Sequence, residues 1–175
     1  ITHPKCKTKY LPDRLITIYN YQQPVIQQMI NTGKLAMVPE IFSDLAFVSI
    51  NRIEFNSKIL SKFVLCTIPM SIYKERFRGF NQSAVVAKIF SRKSNLPIDN
   101  LLAKNSFVKQ QKKLDKQSRQ ENSKEAFRLL NNQALPSAVI LIDDVTTTGS
   151  TLKAATKVLK RAGISTVYCL ALAQD

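Results

Sequence analysis

Two adjacent carboxylates followed by a hydroxyl-rich turn are the feature of this chain that most clearly suggests chemistry. Asp143 and Asp144 come directly after the apolar run 139–142, which has the length of a buried strand, and Ser150 and Thr151 begin a segment with helical spacing. Carboxylates suit sugar hydroxyls or a hydrated Mg²⁺ ion. The free N–H groups and positive dipole end of a helix start suit a phosphate. The segment therefore predicts a site for a ligand that combines a phosphate, a sugar ring and a metal ion.

A structural explanation of the same segment stays open. Ser, Thr and Asp are favoured at helix N-caps and Gly at turns, so a strand that ends in acids and hydroxyls can be a well-capped turn. Adjacent carboxylates at a buried strand end repel each other, however, and a purely structural turn gains nothing from that repulsion. We therefore favour the ligand site.

The order of residues 139–152 resembles the binding motif for phosphoribosyl pyrophosphate (PRPP) in the type I phosphoribosyltransferase family. That motif has an apolar strand, two acids, two variable residues, and then Thr-Gly with small hydroxyl residues. The resemblance implies that the two acids face the ribose hydroxyls and that the turn wraps the 5′-phosphate. It implies Mg²⁺ as a cofactor held through PRPP and waters. The PRPP-binding residues implied here are Asp143, Asp144, Thr146, Thr147, Thr148, Gly149, Ser150 and Thr151.

A second group of candidate residues comes after an upstream apolar run of strand length. Pro69 and Ser71 stand where a strand exit can present backbone N–H groups to another anion. Arg76 and Arg78 can hold phosphate oxygens in a planar fork. Asn81 is placed to cap the helix that follows. Taken alone, this stretch can also be a basic surface turn.

The string Arg-Gly-Phe-Asn-Gln at 78–82, together with Ile-Pro at 68–69, resembles the ComF family of competence proteins, a branch of the phosphoribosyltransferase-like fold. The resemblance extends over about residues 15–173. It adds Pro69 and Ser71 to the PRPP-binding residues, and it implies Asp143, Asp144, Arg76 and Arg78 as catalytic residues. Further matches to the spacing of the family are Gln111, Leu114, Arg119, Asn122 and Phe127.

The function implied by this resemblance is PRPP and Mg²⁺ binding in natural transformation, the uptake of DNA. The expected partners are PRPP or a related phosphorylated ribose, together with single-stranded DNA and competence proteins. Two alternatives stay open. One is a catalytically inactive protein of the same fold that binds single-stranded DNA, and the other is a true phosphoribosyltransferase of nucleotide metabolism. Whether PRPP is turned over stays open as well, because the sequence carries no signature of an acceptor-binding region.

The charge balance favours a polyanionic partner. The chain has 26 Lys and Arg against 12 Asp and Glu, a formal net charge of +14. Free use of Lys by a basic proteome is the alternative explanation. The basic segment 104–128 can close over a pyrophosphate, track a nucleic-acid backbone, or be a solvated loop with neither role. The candidate nucleic-acid-binding residues are Lys109, Lys112, Lys113, Lys116 and Arg119.

Length and composition predict one α/β domain. The 175 residues are 45% hydrophobic, and strands alternate with helices, which predicts a mostly parallel sheet flanked by helices. We expect the domain to span 15–175 after a basic N-terminal remnant or tail at 1–14.

Three cysteines without a close pair fit a reducing cytoplasm, and Cys6 alone cannot form the zinc ribbon that often precedes this family. The apolar runs are too short for membrane insertion, and no signal peptide is evident.

The pattern of apolar residues predicts the order of elements along the chain. We expect strands at 16–21, 62–68, 138–142 and 166–173, helices at 24–35, 39–48, 81–91 and 151–161, a short strand or turn at 97–102, and a loop at 105–124.

Overall fold

The computed structural model describes residues 10–50, 60–105, 126–130 and 134–175. Its elements in chain order are β1 Arg14–Asn20, α1 Pro24–Leu35, α2 Pro39–Ile50, β2 Phe63–Thr67, α3 Ile72–Arg78, α4 Gln82–Ser94, β3 Leu102–Lys104, β4 Phe127–Leu129, β5 Ala138–Thr146, α5 Ser150–Arg161 and β6 Thr166–Gln174.

Four of the strands form a parallel sheet in the order β1-β6-β5-β2. Within it, Val139 of β5 pairs with Val64 of β2 on one side and with Val167 of β6 on the other. A central strand of a parallel sheet is covered on both faces, which explains why residues 138–142 are apolar without interruption. The predicted α/β class with a mostly parallel sheet is therefore confirmed.

The core has two layers, one on each face of the sheet. Ile140 and Ile142 of β5 belong to the apolar cluster formed with α1, α2 and α4. Val139 and Leu141 belong to a second cluster, to which α5 contributes Leu152, Ala155 and Leu159. Successive side chains of a strand point to opposite faces, so one apolar run supplies both layers. Packing on both faces holds β5 in place within the sheet, and so it also fixes the position of the carboxylates near the end of β5.

Most predicted elements are confirmed with small shifts at their ends. The helix predicted at 24–35 matches α1, and the strand predicted at 138–142 continues to Thr146 as β5. Residue 98, in the predicted strand or turn, makes an isolated bridge to Leu65. The loop predicted at 105–124 lies, apart from Asn105, outside the described residues, and so do residues 1–9 of the predicted tail. None of the described helices is long and apolar enough to span a bilayer.

Helix α3 was not predicted, because the stretch after Pro69 was interpreted as a strand exit and loop. Ser71 is its N-cap and accepts a hydrogen bond from the N–H of Lys74 at 3.4 Å. Gly79 ends the helix with φ 77°, and its N–H donates to the carbonyl of Glu75. The seven residues of α3 carry one i, i+4 aromatic pair, Tyr73 and Phe77, which is too short a repeat to identify a helix from the sequence. The antiparallel pair β3–β4 was missed as well.

Candidate functional site at the end of β5

Asp143 lies near the carboxyl end of the central strand β5 and is 8% exposed. Its Oδ1 accepts hydrogen bonds from the Oγ of Ser83 at 3.2 Å and from the backbone N–H of Asp144 at 2.9 Å. Ser83 is in the first turn of α4, where Asn81 accepts a hydrogen bond from its N–H at 3.0 Å. The amide of Asn81 also donates to the carbonyl of Ile68 at 3.0 Å. Asn81 thus ties α4 to the end of β2 and holds Ser83 beside the carboxylate.

The carboxyl group of Asp143 is held in an unfavourable environment for charge. Burial, and then the neighbouring charge of Asp144, raise the pKa of Asp143 from 3.8 to about 7. The hydrogen bonds from the Asp144 N–H and from Ser83 act in the opposite direction but are weaker influences. A carboxyl group with this pKa exchanges its proton near neutrality, so a bound cation or a hydroxyl donor can take the place of the proton.

Asp144 has a counterion that the sequence analysis did not identify. The Nζ of Lys34, in the last turn of α1, lies 2.6 Å from its Oδ2, and both side chains are mostly buried. Lysine in the last turn is common because it complements the helix dipole, so its position alone gave no sign of this role. The tertiary structure brings α1 to the carboxyl end of β5 and places one cation between the helix end and the site.

The turn 147–149 leads from β5 into α5 and leaves polar groups accessible. Thr147 and Thr148 are exposed, and Gly149 has φ 70°, a conformation that side chains disfavour. Gly149 is the N-cap of α5 and has no side chain to cap the first N–H groups. Ser150 and Thr151 are exposed in that first turn. The N–H of Ser150 donates to the Oγ1 of Thr148 at 3.4 Å. The exposed hydroxyls, together with the next N–H groups at the start of α5, form an arrangement that suits an anion.

Lys153 is a further cation beside this turn that the sequence analysis did not identify. A Cβ placed on Gly149 would lie 3.9 Å from the Cε of Lys153. The aliphatic end of this side chain therefore folds back along the turn.

A cavity of about 500 Å³ lies beyond the carboxyl end of β2. Pro69, Ser71, Lys104 and Arg128 are among the residues that line it. Burial, and then the charge of the nearby Lys74, lower the pKa of Lys104, whereas attraction by Asp143 acts in the opposite direction. This attraction indicates that Lys104 lies within electrostatic reach of Asp143, so the cavity and the carboxylates share one region of the molecule.

Comparison with known proteins finds relatives that are named competence proteins or DNA utilization proteins. No family model matches the chain. Competence protein F of Haemophilus influenzae is 24% identical over 167 residues, which are 93% of this chain and 73% of that protein. Competence protein ComFC of Bacillus subtilis is 40% identical over 101 residues, 58% of this chain and 40% of that protein. DNA utilization protein YhgH of Escherichia coli O157:H7 is 26% identical over 175 residues, 95% and 75% respectively.

These relatives support the ComF family for this chain. The resemblance predicted from its motifs is confirmed. The structure gives three residues of the ComF-like string at 78–82 a physical role. Gly79 ends α3, Phe80 packs its ring 6.0 Å from that of Phe42, and Asn81 caps α4. Gln82 is buried, and its amide nitrogen has no hydrogen-bond partner among the described residues. The string therefore forms the junction that positions Ser83.

In the part of the chain that the structure describes, the other predicted site residues are not seen in contact with the carboxylates. Arg76 and Arg78 lie in the last turn of α3, Arg76 exposed and Arg78 partly exposed. Within the described contacts, neither guanidinium is joined to Asp143 or Asp144, so their catalytic role stays a prediction. The candidate nucleic-acid-binding residues lie outside the described residues: Lys109, Lys112, Lys113, Lys116 and Arg119.

The carboxylates fit Mg²⁺ better than a metal that needs a complete set of protein ligands. The described residues include no cluster of three or more His, Cys, Asp or Glu side chains that could hold a metal ion. Asp143 and Asp144 supply oxygen ligands only, and Mg²⁺ characteristically takes one or two carboxylates while keeping waters and ligand phosphates. The donor set therefore fits an ion that arrives together with a phosphorylated ligand.

Proposed function

We propose that this chain binds PRPP with Mg²⁺ at the carboxyl end of β5 and acts in the uptake or use of DNA. The observation that carries the binding proposal is the buried carboxyl group of Asp143, with its pKa raised to about 7, beside Asp144 and an exposed Thr/Gly/Ser turn. A buried carboxylate whose charge destabilises the fold is more common at functional sites, where a ligand interacts with that charge. Ligands of open α/β sheets bind at this edge.

In this proposal each part of the site binds one part of PRPP. Asp143 and Asp144 accept hydrogen bonds from the ribose hydroxyls, and Ser83 keeps Asp143 oriented through its 3.2 Å hydrogen bond. The turn 147–149 and the first N–H groups of α5 donate to the 5′-phosphate. Lys153 adds a positive charge next to that turn. Mg²⁺, when bound, would neutralise charge on the pyrophosphate.

Arg76, Arg78 and Lys104 are the described cations that we assign to the pyrophosphate side. Lys104 lines the cavity beyond the end of β2, and the charge of Asp143 acts on it. If the ligand is turned over, the bond between C1 of the ribose and pyrophosphate breaks, and these cations neutralise the departing anion. An acceptor would then form a bond to C1.

The role in DNA uptake is supported by the names of the relatives, competence protein F, ComFC and DNA utilization protein YhgH. The net charge of +14 supports a polyanionic partner in the same process. We propose competence proteins as the further partners. Deletion of the gene in its native host should lower the number of transformants per recipient cell, and a wild-type copy should restore it. An unchanged frequency would contradict this part of the proposal.

A thermal melt with PRPP and MgCl₂ tests the binding site. A ligand that binds only the folded state raises the midpoint, by about 2.7 kcal/mol of stabilisation at a concentration of 100 times its Kd. Each variant is compared with its own ligand-free midpoint. We expect Asp143→Asn combined with Asp144→Asn to lose the shift, and Asp44→Asn, at an exposed position of α2, to keep it. A shift that survives the double change would refute the assigned site.

A pyrophosphate release assay distinguishes binding from turnover. The protein is incubated with PRPP, MgCl₂ and a panel of nucleobases, and the released pyrophosphate is measured above a protein-free background. Release with one base identifies a phosphoribosyltransferase of nucleotide metabolism, the alternative kept open above. Binding without release from any acceptor indicates that PRPP is a regulatory or structural ligand.

A further inference from the structure

Helix α3 exposes large apolar side chains although it belongs to the folded domain. None of its seven residues is buried, and Tyr73 is 83% exposed, Phe77 67% and Ile72 62%. Single exposed apolar residues are common, but neighbouring ones on one short helix usually mark a binding surface. The exposed face of α3 is therefore a candidate binding surface.

The helical spacing of α3 alternates aromatic and basic rows. Tyr73 and Phe77 are four residues apart and so lie on the same row of the helix surface. Lys74 and Arg78 form the next row on one side, and Arg76 belongs to the row on the other side. The aromatic row thus runs between cations. Among the described residues, no ion pair joins a cation of α3 to a carboxylate.

Cations continue beyond the helix. Ile72 and Tyr73 line the cavity of about 500 Å³ together with Lys104 and Arg128, which belong to the β3–β4 pair. The charge of Lys74 acts on Lys104, so the helix and the strand pair form one positively charged area. Such an area attracts a polyanion.

We propose that α3 is a platform for single-stranded nucleic acid, with bases stacked on Tyr73 and Phe77 and phosphates beside Lys74 and Arg128. This inference rests on the proposed role in DNA uptake. Duplex DNA keeps its bases stacked inside, whereas a single strand offers the base faces that aromatic side chains bind. Lys74 and Arg128, which are not among the cations assigned to the pyrophosphate, lie beside the backbone of the strand. Aromatic side chains between positive charges fit a partner that is both anionic and planar.

Fluorescence anisotropy with a labelled single-stranded oligodeoxythymidylate tests the platform, and an abasic oligonucleotide of the same length is the second probe. We expect Tyr73→Ala combined with Phe77→Ala to weaken binding of the oligodeoxythymidylate about tenfold or more, because stacking on aromatic side chains contributes that much per base. Binding of the abasic probe should be unchanged, since it has no bases to stack. Phe47→Ala is the matched control, because Phe47 is 64% exposed on α2, whose charged residues are acidic.

Salt dependence separates the aromatic contribution from the charges. Lys74→Ala should reduce the slope of log affinity against log salt by about 0.7, the value for one phosphate contact to a single strand. The aromatic double variant should weaken binding at every salt concentration without changing that slope. All of these side chains are exposed, so the variants should keep the fold, which circular dichroism and the melting midpoint verify.

Two results would overturn the platform. If the wild-type chain binds the oligodeoxythymidylate and the aromatic double variant binds it equally well, the strand lies elsewhere, while the proposed role in DNA uptake stands. If the double variant turns a dimer into a monomer in sedimentation without any change in DNA binding, α3 is an interface between copies of this chain. A wild-type chain that binds no single strand at any salt concentration removes the DNA-binding premise itself, whatever the PRPP melt shows.

Discussion

Replacing Asp143 by asparagine is expected to stabilise the folded chain above neutral pH and to weaken its response to PRPP. The two side chains have nearly the same shape, and the asparagine oxygen can still accept hydrogen bonds from Ser83 and from the N–H of Asp144. The new amide group can donate toward the Asp144 carboxylate, whereas the ionised Asp143 repels it. The substitution therefore removes a buried charge without removing its hydrogen-bond acceptor.

The size of the effect follows from the difference between the folded and unfolded pKa values. Well below pH 3.8, Asp143 is protonated in both the folded and the unfolded state and has no effect on pH dependence. Between 3.8 and about 7, the unfolded chain releases the proton and the folded chain keeps it, so the free energy of unfolding falls as pH rises. At about 1.4 kcal/mol per pKa unit, the loss is of the order of 4 kcal/mol once both states are ionised. The Asp143→Asn variant has no proton to release at this position, so its free energy of unfolding should not fall for this reason as the pH rises.

Urea denaturation across this pH range measures the effect. The free energy of unfolding of Asp143→Asn should be close to that of the wild type at about pH 3 and exceed it by several kcal/mol at about pH 8. Asp44→Asn serves as the control for loss of one exposed negative charge and should change the difference little. If Asp143→Asn is less stable than the wild type at the higher pH, or if its stability has the same pH dependence, the argument from the buried charge is wrong.

Three other substitutions test neighbouring parts of the site. Lys34→Met removes the ammonium that lies 2.6 Å from Asp144, and Mg²⁺ alone should then raise the melting midpoint more than it does in the wild type; an equal shift would mean that Lys34 does not compete with the ion. Ser83→Ala removes one hydrogen bond to Asp143, and urea titrations should show a loss of about 1 kcal/mol that is larger at pH 8 than at pH 5, where the carboxyl group is protonated. Gly149→Ala places a side chain at φ 70° and should cost about 1–2 kcal/mol, visible as a lower urea midpoint with an unchanged m-value; no loss would show that the turn relaxes.

The central strand and the carboxylates were predictable because they depend on local sequence. An uninterrupted apolar run of strand length is typical of a strand in the middle of a parallel sheet. The residues that follow such a run lie at the carboxyl end of the strand, where ligands of these sheets bind. The helices at 24–35 and 151–161 were predictable for a similar reason, since their apolar residues repeat with the period of a buried helical face. Asn81 could be assigned as a helix cap from its residue type and position.

Contacts between distant elements were not predictable in this way. The pairing of Lys34 with Asp144 and the approach of Lys104 to Asp143 join segments more than thirty residues apart. Helix α3 was missed because it has only seven residues, and its single i, i+4 pair of Tyr73 and Phe77 is too short a repeat to identify a helix. Its exposed aromatic row became visible only when the exposure of each side chain was known.

The amino-acid sequence by itself determined the α/β class, the order of the main elements, the ComF resemblance and the two carboxylates, because hydrophobic periodicity and local residue chemistry act over short stretches of chain. Only the tertiary structure decided which cations face those carboxylates, how far Asp143 is buried, and which side of α3 meets solvent. Burial and electrostatic interaction depend on distance in space, and packing of the helices on the sheet fixes those distances between residues that are far apart along the chain.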